Sequence, residues 1–117
     1  MKVAFYKSGK EGVPLANRQY AERFARKSTL YVNWEIDLTH PAPAHRVDFR
    51  IHATWYDPDG SIMNEQDMDT YVDAGWKDSS HNWGRGWDKT NQWPVGQYRV
   101  EFRVGDQQIA DGSFEIY

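Results

Sequence analysis

Tryptophan dominates the stretch between Asp73 and Gly96, where Trp76, Trp83, Trp87 and Trp93 are interleaved with glycines, serines, His81, Asn82 and Asp88. Flat indoles stack on the C–H faces of sugar rings while Asp, Asn and His side chains hold the hydroxyls, and the same surface suits a Pro-rich or aromatic peptide. The segment reads as a long loop, the kind of place where binding residues concentrate. Trp76, Trp83, Trp87, His81, Asn82 and Asp88 are therefore the candidate ligand-binding residues. Trp93, just ahead of a strand pattern, is expected to plug one end of the core instead.

Other residue types that could do chemistry are less well placed. Glu65, Asp67, Asp69 and Asp73 share one face of a strand pattern and could offer oxygens to calcium. Arg46, Arg50 and His52 sit across from them, so the row reads as neutralised. Asp57-Pro58-Asp59-Gly60 resembles a fragment of a calcium loop but lacks the remaining ligands, and a turn explains it better. His40, His45, His52 and His81 show no metal-ligand spacing, and His40 and His45 flank prolines as solvated loop residues. Ser79-Ser80-His81 holds the residue types of a nucleophilic triad, without an elbow motif to expose the serine. No catalytic residue, metal or cofactor is assigned, and the protein is read as a non-enzyme.

The chain has 117 residues, no cysteine and a formal net charge of −3, which leaves nothing to gather nucleic acid electrostatically. No apolar run approaches membrane-spanning length, and Met1-Lys2-Val3-Ala4-Phe5-Tyr6 lacks the pattern of a secretory signal. Localisation is left open. Mean hydropathy is negative, yet disordered chains are poor in aromatics and this one has six Trp, seven Tyr and five Phe. Such a chain can bury a core.

The elements that must position these residues announce themselves by period two. Leu30, Val32, Trp34, Ile36 and Leu38 alternate with Tyr31, Asn33, Glu35 and Asp37. Val47, Phe49, Ile51, Ala53 and Trp55 repeat the phase, and so do Tyr98, Val100, Phe102 and Val104. This is the signature of half-buried strands. Residues 17–27 suit either a short helix or a strand, and strand is preferred. Pro- and Gly-bearing turns at residues 40–44, 57–60 and 105–106 join the strands, so two antiparallel sheets packed face to face are expected.

Charge constrains the register. A four-residue loop at 57–60 would oppose Tyr56 to Ser61, Arg50 to Asp67, His52 to Glu65 and Phe49 to Met68, whereas a three-residue loop turns Asp67 and Asp69 inward unless a bulge compensates. The first register or a compensating bulge is expected, because buried unpaired carboxylates cost several kcal/mol. At the C-terminus Phe102 would pair with Ile109, and Asp111-Gly112 would mark a bulge that resets the phase for Phe114 and Ile116.

The run Trp93-Pro94-Val95-Gly96-Gln97-Tyr98-Arg99-Val100-Glu101-Phe102-Arg103-Val104, followed by residues 109–116, resembles the last hairpin of immunoglobulin-like sandwich modules in bacterial multidomain proteins. Gly96-x-Tyr98 looks like a tyrosine corner, in which the hydroxyl bonds back to nearby backbone. The resemblance covers about the final quarter and implies a spacer or a binder of sugars or proteins. The chain lacks the paired cysteines of antibody-type domains, so its core relies on aromatics such as Trp34 and Trp55. The sequence thus predicts one immunoglobulin-like β-sandwich domain over residues 1–117, acting as a non-catalytic binding module, with a glycan preferred over a peptide or neighbouring domain. A structural spacer and a small metal-binding or hydrolytic protein are the alternatives. Basic residues crowd positions 1–28 and acidic ones 56–75, which also fits docking on a neighbouring domain.

Overall fold

A computed structural model describes residues 1–117. Eight strands form two sheets: β1 (Lys2–Ser8), β2 (Arg23–Phe24), β3 (Tyr31–Thr39), β4 (Val47–Tyr56), β5 (Ile62–Val72), β6 (Asp78–Gly86), β7 (Gly96–Val104) and β8 (Gln107–Ile116). The smaller sheet has the order β1-β3-β6 and the larger β2-β8-β7-β4-β5. All pairs are antiparallel except the two-residue β2–β8 pair. The 17–27 segment contributes only that short strand, flanked by 3-10 turns at Leu15–Asn17 and Arg26–Ser28.

The alternating residues face inward as their period requires, except Val47 at the start of β4, which is 46% exposed. Val32, Trp34 and Ile36 meet Ile51, Ala53, Trp55, Tyr98, Val100 and Phe102 in one cluster, closed by Phe5, Phe24, Trp93, Phe114 and Ile116. Trp93 is fully buried and packs edge-on against Tyr98 and Phe114. A single carboxamide joins the two sheets through this core. Gln66 Oε1 on β5 accepts the indole N–H of Trp34 at 3.1 Å and of Trp55 at 2.9 Å, and its Nε2 donates to the Gly84 carbonyl on β6 at 2.9 Å.

Both hairpins reach the expected inward phase, each by a bulge in a different place from the simplest reading. At residues 57–60, Asp57 Oδ1 accepts the N–H groups of Asp59 and Ser61, and Gly60 takes φ +83°, a conformation costly for any residue with a Cβ. Tyr56 then opposes Ile62, Trp55 opposes Asn64, and Met63 is the extra residue. This compensating bulge sets Ile51 against Met68, Arg50 against Asp69 and His52 against Asp67, two residues further along than the four-residue loop would place them. In the last hairpin the bulge falls at Ile109, between the Arg103–Gln108 and Phe102–Ala110 pairs, and Asp111-Gly112 lie in regular register. The two-residue turn at Gly105-Asp106 creates the phase error, and the correction comes at once. Gly112 is needed for another reason: a Cβ there would come within 2.8 Å of Val3 and 3.0 Å of the Phe5 ring, where β8 passes under β1.

The long loop expected between Asp73 and Gly96 instead contains a nine-residue strand. Residues 78–86 form β6, paired along their length with β3, which sets Trp83 against Trp34 and His81 against Ile36. The strand has no apolar alternation because its inward positions are Ser79, His81, Trp83 and Arg85. An edge strand over a polar seam needs none.

Replacing Gln66 by Ala would strand two buried indole N–H groups, each costing about 1–3 kcal/mol. Gln66→Ala is expected to lower unfolding free energy by about 3–5 kcal/mol in urea titrations, while the exposed Gln19→Ala stays within about 0.5 kcal/mol.

Candidate functional site

The six candidate residues do not converge on one pocket. β6 is extended, so residues 78 and 86 stand roughly 26 Å apart and the candidates string out along its edge. Trp76, in the turn after β5, is 41% exposed, and its ring lies 5.6 Å from that of Tyr71 at 34°. The Arg46 guanidinium sits 3.9 Å over the Tyr71 ring. These three flat groups form one platform beside an open groove of about 440 Å³ lined by Arg46, Asp48, Arg50, Asp69 and Tyr71. The turn is held by the Gly75 N–H on the Pro43 carbonyl and by the His40 N–H on the Lys77 carbonyl.

Further along, Trp83 is 45% exposed at the free edge of β6. Asn82 points to the other face and donates to the Tyr6 hydroxyl at 3.0 Å. At the far end Trp87 is half-buried, its ring edge-on to Trp93 at 5.2 Å, and Asp88 accepts the Tyr31 hydroxyl at 3.1 Å. Trp87 thus joins the plug while Trp76 and Trp83 keep open faces.

His81 lies elsewhere than a ligand-binding histidine would. It is 4% exposed between the sheets, edge-on to Phe49, with Nδ1 2.8 Å from Thr70 Oγ1 and Nε2 2.9 Å from Ser79 Oγ. Its polar seat comes from β6 approaching β5, and it presents no free face to a ligand. The His40 ring, read from the sequence as solvated, reaches the same Ser79 hydroxyl at 3.4 Å. Ser79 and His81 therefore do meet as a nucleophile and base would. The second ring nitrogen finds a hydroxyl instead of the carboxylate that would hold an imidazolium. Burial, reinforced by the nearby His40 and opposed by Asp37, pulls the His81 pKa below its ordinary value.

The acidic row on β5 is engaged by the opposite strand. Asp69 Oδ1 accepts Arg50 Nε at 2.7 Å, and His52 lies between Asp67 at 2.7 Å and Glu65 at 3.1 Å. The hydrogen bond to Asp67 leads the causes that raise the His52 pKa. Arg46 pairs with Asp48, and Asp73 lies beyond the end of β5.

Sequence reasoning missed two groupings. Tyr71 and Arg46 join Trp76 only because β4 and β5 pair. Glu35, read as an outward polar residue, is 4% exposed beneath residues 9–25, where it accepts the Tyr20 hydroxyl at 2.8 Å and pairs with Arg18. Arg18 in turn covers the Tyr6 ring at 4.7 Å. Only the surplus of bases in residues 1–28 hinted at a partner for it.

No family model matches the sequence, and no curated protein matches it. Among solved structures, an immunoglobulin-like protein from Pseudomonas aeruginosa superposes with a TM-score of 0.50 at 13% identity, covering 100% of this chain and 98% of that one. The fold is immunoglobulin-like. That likeness concerns architecture alone, so the immunoglobulin-like sandwich explains how β5 and β6 become adjacent edges and leaves their use to be argued from the side chains.

The two shifted histidines make opposite contributions to acid stability. His81, held neutral by burial, favours unfolding once the unfolded chain can protonate, below about pH 6.5. His52, with a raised pKa, contributes stability that is complete below about pH 6.5 and is lost as pH rises through its folded value. Urea midpoints between pH 7.5 and 5 are expected to fall less steeply for His81→Gln than for the parent, and more steeply for His52→Gln.

Proposed function

We propose that this immunoglobulin-like protein is a non-catalytic recognition module that binds glycans along the flank where β5 and β6 meet, using Trp76 with Tyr71 and Arg46 as one stacking platform and Trp83 as a second. One observation carries the reading: the indoles of Trp76 and Trp83 remain 41% and 45% exposed, the first of them packed against the exposed Tyr71 ring. A spacer would gain by burying them, and the contiguous aromatic surface of Trp76 with Tyr71 is of the kind that marks a contact site on a monomer. Tyr71 is fixed in β5, and backbone hydrogen bonds to Pro43 and from His40 hold the turn that carries Trp76, so a ligand need not order the platform, which lowers the entropic cost of binding.

A glycan suits this chemistry better than a peptide. Indole and phenol faces meet the C–H faces of pyranose rings, while Arg46, Asp48, Arg50 and Asp69 line the adjoining groove with donors and acceptors for hydroxyls. Support for a non-catalytic role comes from the engagement of the outer carboxylates in ion pairs and from the hydroxyl partner of His81.

Tryptophan fluorescence titrated with an oligosaccharide panel checks this directly. A saccharide that binds the parent is expected to bind Trp76→Ala or Trp83→Ala about tenfold more weakly, equivalent to about 1.4 kcal/mol. Undiminished binding in both variants would remove the flank from the reading.

A further inference from the structure

Arg85 is the one arginine with neither an acidic nor a hydrogen-bonding partner. Arg18, Arg23, Arg46, Arg50, Arg99 and Arg103 each pair with an acid, and Arg26 donates to the Trp93 carbonyl at 2.7 Å. Arg85 has neither kind of contact, and its Nε is the single buried side-chain polar atom in the chain with no hydrogen-bond partner. It projects from β6 on the side of Val32, its cross-strand neighbour, and its guanidinium lies 5.4 Å over the Trp87 ring. Burial draws its pKa below the ordinary guanidinium value, and the nearby Tyr98 hydroxyl is itself pushed up to about 12, chiefly by burial.

Burying the guanidinium Nε without an acceptor is costly, because no carboxylate or carbonyl replaces its lost hydration and only the Trp87 ring faces the charge. An apolar side chain of similar length would serve the fold better at this position. A ligand anion that completes the pair would convert that cost into affinity, since charge-assisted Arg–carboxylate contacts are the stronger kind. The setting supplies the rest of a subsite. Trp83 and Arg85 are alternate residues of one strand and share a face, roughly 7 Å apart, so a sugar ring stacked on the exposed Trp83 carries its substituents toward the guanidinium.

We propose that the β6 edge selects acidic glycans, with Arg85 receiving the carboxylate of a uronic acid whose ring, or its neighbour's, stacks on Trp83. The inference rests on the glycan reading above and adds the charge of the ligand to it. Arg85 is kept for recognition at the expense of stability.

Isothermal titration of the full chain with oligogalacturonate, its methyl ester and oligoglutamate tests this in the parent, Arg85→Met and Arg85→Lys. The acidic saccharide is expected to bind the parent at least tenfold more tightly than the ester. Arg85→Met should abolish that preference while raising Tm by about 2–5 °C, and Arg85→Lys, which keeps charge but loses the planar fork, should fall between. Equal binding of acid and ester overturns the carboxylate assignment and leaves the glycan reading standing, whereas saturable binding of neither overturns both. Preference for oligoglutamate over oligogalacturonate makes the partner a protein and sinks the inference. A lower Tm for Arg85→Met would show that the guanidinium supports the fold, and would sink it too.

Discussion

The Gln66 carboxamide is the point on which the two sheets depend for their relative placement. Trp34 and Trp55 are the largest inward residues of their sheets, and each carries an N–H into a dry interior. An indole donor buried without an acceptor forfeits much of the gain from burying its rings. One amide oxygen has lone pairs for both, and Gln66 supplies it while its nitrogen reaches Gly84 across the seam. Four strands, β3, β4, β5 and β6, are thereby tied to a single group. A slide of one sheet over the other would break the bonds to Trp34 and Gly84 together, while the bond to Trp55 lies within the larger sheet.

That tie also explains the polar seam between β5 and β6. Thr70, His81 and Ser79 continue the hydrogen-bonded line that Gln66 begins, so the edges of the two sheets meet through side-chain hydrogen bonds with little apolar packing. Toward the other side of the sandwich, Phe24 and Trp93 meet Phe114 edge to face and Phe5 lies tilted against it.

The outer face of the larger sheet follows a different rule. Arg50 with Asp69, His52 with Asp67 and Glu65, and Arg99 and Arg103 with Glu101 form cross-strand and same-strand pairs over exposed backbone. Exposed pairs of this kind contribute little individually. Their effect is on register, since a slip by one residue would turn the carboxylates of β5 into the core. The Met63 bulge is the local irregularity that lets the favoured turn and the favoured register coexist.

From the residues alone the three strong strands, their inward faces, the burial of Trp93 and the sandwich class were all legible, because period-two alternation is a local property that apolar burial enforces strand by strand. The neutralisation of the β5 acids was also legible, since charge must be matched across any antiparallel pair. β6 was not, because an edge strand over a hydrogen-bonded seam carries serine, histidine, tryptophan and arginine inward and shows no alternation of greasiness. Nor could the sequence place Tyr71 and Arg46 beside Trp76, cover Glu35 with Arg18, or leave Arg85 alone among the arginines. Those relations join residues from separate strands and loops, and only the stacking of two sheets, with their edges set by Gln66, decides which polar groups find partners and which are left without one.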